Sequence, residues 1–208
     1  MSPSFPEPRI PLSFAQQRLW FLHQLEGTSG EYHVPEGFVL RGDLDGDALR
    51  RALDALVARH ESLRTRFPAP AGEPAQVVEP ELRLELPVEA AVGAPESRLE
   101  EALWEEWERP FDLAAGPLVR ARLLRFGARS HGLVFTTHHI VSDGWSQAIL
   151  RHELEALYAA HLARRDPALP PLPLRYADFA LRQRRHGDFE ADLAYWKKMI
   201  DYTGIKVE

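Results

Sequence analysis

The feature that most constrains this chain is a strand that runs straight into a turn and a long helix. Gly132-Leu133-Val134-Phe135-Thr136-Thr137 alternates, leads into His138-His139-Ile140-Val141-Ser142-Asp143-Gly144-Trp145, and is followed by a long amphipathic stretch from near Gly144. A period of two places Leu133, Phe135, Thr137 and His139 on one face and Val134, Thr136 and His138 on the other. The two histidines therefore diverge: one can look into a cleft while the other is held in the protein body. Asp143, in the turn, is placed to fix geometry or to cap the helix behind it. Gly144 leaves its N–H sterically open at a helix start, where partial positive charge gathers. An imidazole, a carboxylate and an open amide so close together make a candidate acyl-transfer site. A metal site built from His138, His139 and Asp143 is disfavoured because adjacent strand residues point apart.

The rest of the chain surrounds this unit with helices and short strands. Four prolines, Pro3 to Pro11, make an extended lead-in, and Ser13 reads as the N-cap of a helix over Phe14–Leu22 with a strongly apolar face. His33-Val34 and Gly37–Arg41 read as a strand. A helix from Asp47 carries Leu49, Leu53, Leu56 and Val57 at helical spacing and enters the charge-dense run Arg59–Phe67. Short strands are expected near Gln76–Val78 and Arg83–Pro87, then a helix over Glu96–Arg109. Leu118–Phe126 alternates and connects to the histidine strand as a hairpin through Gly127-Ala128-Arg129-Ser130. The helix after Asp143 is expected to reach Arg164 and to bury Ile149, Leu150, Leu154, Leu157, Tyr158 and Leu162. Pro167, Pro170, Pro171 and Pro173 form a stiff connector. Helices are expected from Tyr176 and over Leu193–Met199. Trp20, Phe21, Trp104, Trp107 and Trp196 read as core residues, and the Arg59-His60 region as internal bracing. The fold class is α+β or mixed α/β.

Composition closes off several functions. The 208 residues carry a net charge of −6 with Lys and Arg dispersed, which gives no electrostatic reason to bind nucleic acid or an acidic membrane. With no cysteine, disulfides, thiolate nucleophiles and cysteine metal sites are excluded. No signal peptide and no apolar run of membrane length is seen, so a cytoplasmic location is expected.

Four separated stretches resemble the motifs of condensation domains of nonribosomal peptide synthetases, in that family's order. They are Ser13–Leu22, Arg59–Phe67, His138–Ser146 and Tyr176–Ala180, and the match spans roughly residues 9 to 200. The resemblance implies a chloramphenicol-acetyltransferase-like lobe: a mixed sheet covered by helices. A family domain has two such lobes around a central tunnel, and these motifs belong to the first. Residues 1–200 are thus read as an N-terminal lobe, 201–208 as a tail unlike the family, and the C-terminal lobe as absent.

The resemblance also implies a reaction and its residues. A donor acyl thioester on one carrier protein's phosphopantetheine is attacked by the amine of an aminoacyl thioester on another, forming an amide. By position His139 is the catalytic base or positioner of the amine, and the Gly144 amide an oxyanion donor. His138 and Asp143 are support, with Asp143 expected to pair with an arginine of the second motif, Arg64 rather than Arg59. Tyr176 and Asp178 are structural. No cofactor is expected on the chain itself. The implied partners are donor and acceptor peptidyl carrier proteins, the missing C-terminal lobe and an adenylation domain. Two other readings remain open: a coenzyme A-dependent acyltransferase of the same fold, and a non-catalytic platform recruiting other proteins. An epimerisation domain is a further relative, disfavoured by the order Gly144-Trp145-Ser146.

Overall fold

A computed structural model describes residues 10–27 and 30–185. Helix α1 (Phe14–Glu26) begins where expected: the Ser13 hydroxyl accepts the Gln16 N–H while the Gln16 side chain accepts the Ser13 N–H, so two free amides are satisfied reciprocally. After a 3₁₀ turn at Gly30–Tyr32 come β1 (His33–Arg41) and α2 (Gly46–Arg59). A second 3₁₀ turn, Glu61–Arg64, leads to β2 (Thr65–Arg66), β3 (Val77–Val78) and β4 (Val88–Ala90). Then follow α3 (Pro95–Glu108), β5 (Val119–Gly127), β6 (Ser130–His138), α4 (Gly144–Leu162) and α5 (Tyr176–Arg185).

Strands β1-β6-β5-β4 form one mixed sheet, in that order, and β2 pairs with β3 separately. β6 runs antiparallel to both β1 and β5, while β4 is parallel to β5. Gly127 pairs with Ser130 across the expected hairpin. Pro35 falls inside β1, which therefore extends unbroken over His33–Arg41. Such a residue, lacking an N–H, is accommodated because β1 is an edge strand.

The sheet separates two apolar layers. Leu133, Phe135, Val119, Ala121 and Leu123 face α2 and α4, packing with Leu53, Leu56, Leu150, Leu154 and Leu157. Val134 and Leu124 face the other way, under Leu99 and Ala102 of α3. α3 can lie close because Leu99 crosses Gly37 and Gly132; a methyl group there would meet the Leu99 side chain at 3.0 and 3.3 Å. A third cluster, with Phe67, Phe111, Leu118 and Ile140, fills the end of the sheet below the histidine turn.

Several expectations change. Arg83–Pro87 is not a strand: Leu84 and Leu86 are buried, but the Leu84 N–H goes to Asp54 rather than to a sheet, and pairing begins at Val88. Trp104 (61% exposed) and Trp107 (37%) are not core. They pack edge-to-face on each other, because a helix held this near the sheet buries Ala102 more easily than an indole. Phe21 is exposed, and on α4 so are Ile149 and Leu162; polar Gln147 and Glu153 are buried instead. The expected helix over Leu193–Met199, with Trp196, and the tail 201–208 lie outside the described residues.

Candidate functional site

The site forms where β6 ends. The extended backbone continues one residue past the strand: the His138 N–H bonds to Leu118 O at 3.0 Å and the His139 N–H to Tyr32 O at 2.7 Å. That continuation carries the alternation through to both imidazoles. His138 is 1% exposed, whereas His139 is exposed at the surface.

His138 sits in a box of rings. His23, Tyr32, His33 and Phe111 lie with ring centres 5.8–6.3 Å from it. Its Nδ1 accepts the Ile140 N–H at 3.1 Å, pinning the turn. Burial, then the neighbouring imidazoles of His33, His23 and His139, pushes its pKa down to about 3. Burial also lowers His33 and His23. His138 is neutral at physiological pH.

His139 is oriented by one bond. Its Nδ1 lies 2.8 Å from the Ser142 carbonyl oxygen. A carbonyl can only accept, so Nδ1 carries a hydrogen, and in the neutral ring this makes Nε2 the nitrogen with the lone pair. Asp143 is the N-cap of α4: its Oδ1 accepts the Ser146 N–H at 2.8 Å and the Ser146 hydroxyl at 2.6 Å. The Ser146 hydroxyl and then its amide hold the Asp143 carboxyl below the usual carboxylate range. Gly144 opens the helix, exposed, and a Cβ there would meet nothing within 4 Å. Its N–H is among the first-turn amides that have no partner within the helix.

The expected Asp143–Arg64 ion pair is not formed. Arg64 donates to the Glu79 carbonyl and lies 3.6 Å from Glu61. Arg59, the alternative, makes a two-pronged pair with Glu153 at 2.9 and 3.2 Å. Asp143 is spent on its own helix's first turn, and each arginine is taken by a nearer acceptor. Arg64 therefore supports the 3₁₀ turn and β3 rather than the carboxylate.

A cleft of about 210 Å³ opens beside His139. Gln16, Leu19, Ser62, His139, Asp143 and Tyr176 line it. Each of the four sequence motifs thus contributes, although residues up to 161 positions apart are involved, from Ala15 to Tyr176. Internal hydrogen bonds join them: the Tyr176 hydroxyl meets Ser13 Oγ at 2.9 Å, and Gln16 Nε2 donates to Ile140 O at 3.4 Å and to Gln76 at 3.2 Å. Among the described residues, no group of three His, Asp or Glu side chains could hold a metal ion.

Two residues went unnoticed in the sequence. Glu153 of α4 takes Arg59 and, at 2.6 Å, His60 Nε2. Burial pushes its carboxyl up, but Arg59 and His60 more than offset this and hold it below its usual range. The Arg59-His60 segment is thus the internal brace that was expected, joining α2 to α4. Gln147, 3% exposed, donates to Thr137 and Ser142. Both are polar residues on the buried side of an amphipathic helix, and that mismatch was the available signal.

Comparison with known proteins agrees with this geometry. A family model described as "Condensation domain" matches residues 7–206. A probable non-canonical nonribosomal peptide synthetase, CymA, of Salinispora arenicola is 44% identical over 206 residues, covering 94% of this chain and 3% of that protein. Among solved structures, the X-domain in complex with OxyB from teicoplanin biosynthesis superposes with a TM-score of 0.84 at 32% identity, covering all of this chain and 46% of that one. The starter condensation domain of rhizomide synthetase RzmA gives a TM-score of 0.81 at 22% identity, over 91% of this chain and 47% of that one, a likeness of fold. The chain spans a small fraction of the curated relative and under half of each solved chain. A mixed sheet between helices, of the chloramphenicol-acetyltransferase-like kind, with four motifs gathered at one histidine cleft, belongs to the condensation domain family, and so does this chain.

Proposed function

We propose that this chain is the histidine-bearing lobe of a domain that joins two carrier-bound substrates by an amide bond within a nonribosomal peptide synthetase. The supporting observation is the meeting of all four motifs around His139, whose ring is held by the Ser142 carbonyl at the edge of the cleft. The donor is an acyl or peptidyl thioester and the acceptor an aminoacyl thioester, each on the phosphopantetheine arm of a peptidyl carrier protein. The acceptor nitrogen attacks the thioester carbonyl carbon, forming C–N and placing negative charge on oxygen. The Gly144 N–H is the donor available to that oxygen at the start of α4. His139 Nε2 orients the amine and takes its proton; collapse breaks C–S and the proton passes to the departing thiolate. His138 supports the turn from below and Asp143 holds the helix start. The partners are two carrier proteins, a second lobe and an adenylation domain, in the cytoplasm.

A platform reading has one observation in its favour: the similar teicoplanin X-domain was solved in complex with another protein, OxyB. Against it, the histidine pair and Asp143 are intact here. The test uses this lobe within its two-lobed synthetase and carrier proteins loaded with donor and acceptor. His139→Ala is expected to lower amide formation by about 10²–10⁴-fold at an unchanged melting temperature, since the side chain is exposed. Near-normal turnover in the variant removes His139 from the chemistry. No turnover in either protein supports the platform, and acylation of a free amine from a coenzyme A thioester supports the acyltransferase.

A further inference from the structure

Behind the catalytic turn lies a hydrogen-bonded relay that the proposed reaction does not itself account for. Gln147 occupies the first turns of α4, directed inward and 3% exposed. Its carboxamide nitrogen has two hydrogens and uses both: one goes to Thr137 Oγ1 at 2.6 Å, the other to Ser142 Oγ at 2.9 Å. Thr137 is the last residue of β6 that shares His139's face. Ser142 is the residue whose carbonyl receives the His139 Nδ1–H. One side chain thus ties the strand before His139 to the turn after it, on the buried side of both.

We infer that Gln147 is a positioning residue for His139, holding Ser142 so that its carbonyl keeps the imidazole in the Nδ1–H form with Nε2 free. This rests on the role given to His139 above. The Ser142 carbonyl sits on a turn between a strand end and a helix cap. The Asp143 cap fixes the far side of that turn through Ser146. On the near side, His138 Nδ1 fixes Ile140. Between those anchors, Ser142 is 5% exposed and its side chain is gripped by Gln147. Without that grip the carbonyl can rotate off the ring, and the imidazole reverts toward the Nε2–H form that an unconstrained histidine side chain prefers. The lone pair then faces Ser142 and a hydrogen faces the cleft, which is the wrong arrangement for accepting a proton from an amine.

The relay also explains a burial that would otherwise be costly. A carboxamide on the core side of α4 is out of place among Leu150, Leu154 and Leu157. Only its nitrogen is satisfied; its oxygen is buried with no partner among the described residues. A residue kept only for packing would be better served by an apolar side chain of similar length, such as methionine.

The test reads the imidazole itself, in the full 208-residue chain, by ¹⁵N NMR of the His139 ring at pH 8, with melting temperature alongside. Wild type is expected to be mainly Nδ1–H. Gln147→Met removes both donors at similar volume. It is expected to lower the Nδ1–H to Nε2–H ratio by about 2- to 10-fold, the range one net hydrogen bond supports. Ser142→Ala removes the acceptor and keeps the carbonyl, so it is expected to shift the ratio in the same direction, and the double variant to be no worse than the larger single change. If Gln147→Met does not fold, Ser142→Ala carries the test alone. An unchanged ratio in the folded variants, whatever the melting temperature, overturns the positioning role and leaves Gln147 structural. A wild type that is mainly Nε2–H overturns the inference at its first step, the Ser142 lock on the ring. Amide formation in the two-lobed protein is a separate readout, so loss of the condensation reading is distinguishable from loss of the relay.

Discussion

At the residue scale, the turn after β6 assigns different work to neighbours of similar chemistry. His138 and His139 differ by one position, yet the first is buried and the second exposed, because an extended backbone alternates its side chains. Asp143, acidic and beside the site, works through geometry: its carboxylate closes the first turn of α4. Asp143→Ala should therefore cost the worth of an N-cap, about 0.5–2 kcal/mol, and not the larger penalty of a stranded buried charge. Urea unfolding of the chain checks this. A loss several times larger would mean that the carboxylate has a buried cationic partner after all. The motif's spacing was readable in the sequence; the partner of its carboxylate was not, since Arg64 and Arg59 are each drawn to acceptors nearer in space.

At the scale of elements, α2 and α4 are locked by charge as well as by leucines. Arg59 and His60, at the end of α2, both reach Glu153 in the middle of α4, with Arg59 and Glu153 side chains 18% and 9% exposed. Glu153→Gln leaves Arg59 without its counter-charge at a mostly buried site, and should destabilise by about 3–5 kcal/mol; a melting temperature equal to wild type would contradict this. The ring box around His138 ties α1 to β1 and β6, and it makes the fold sensitive to acid. His138, His33 and His23 all have lowered pKa values. Above about pH 6.5 these imidazoles are neutral in both folded and unfolded chains, so they leave stability unchanged with pH. Below it the unfolded chain binds protons that the folded chain refuses, in His138 down to about pH 3. Stability should fall as pH falls through that window, by up to about 1.4 kcal/mol per pH unit from His138, with His33 and His23 adding losses in the same direction. The carboxylates with lowered values, Glu105, Asp143, Glu153 and Asp178, act only nearer pH 4.5 and below. A urea midpoint that stays flat between pH 7 and 5 would show that the box tolerates charge.

At the scale of the whole molecule, the described residues hold an extensive core and an open cleft. Three apolar clusters back both faces and one end of a four-stranded sheet. A core of this extent is the basis for expecting the chain to fold on its own. The cleft, in contrast, is open: His139 and Asp143 on its lining are exposed, as are Gly144 and Trp145 (80%), which follow them along the chain. Similar solved chains are about twice as long. Holding two reactants in register accounts for a large part of the barrier to such reactions, and oriented amides stabilise an oxyanion far less in open water. The 208-residue chain is therefore expected to unfold cooperatively and yet to form no amide from loaded carrier proteins. Product at the rate of a two-lobed domain would refute the need for a second wall, and a chain without a cooperative transition would refute the independent core.

By itself the sequence determined what depends on neighbours along the chain. The cap at Ser13, the apolar stripe of α2, the β5–β6 hairpin and the opposite directions of His138 and His139 all follow from local spacing, because backbone periodicity acts over a few residues. Four motifs in one order were also enough to name the family. Only the tertiary structure decided which charged and polar groups meet. Glu153 finds Arg59 and His60 across 93 or more positions, Gln147 finds Thr137 and Ser142, and Leu99 of α3 settles on Gly37 and Gly132 so that Trp104 and Trp107 stay outside. Those pairings are set by distance in space and by competition among acceptors, and neither is carried by the order of residues along the chain.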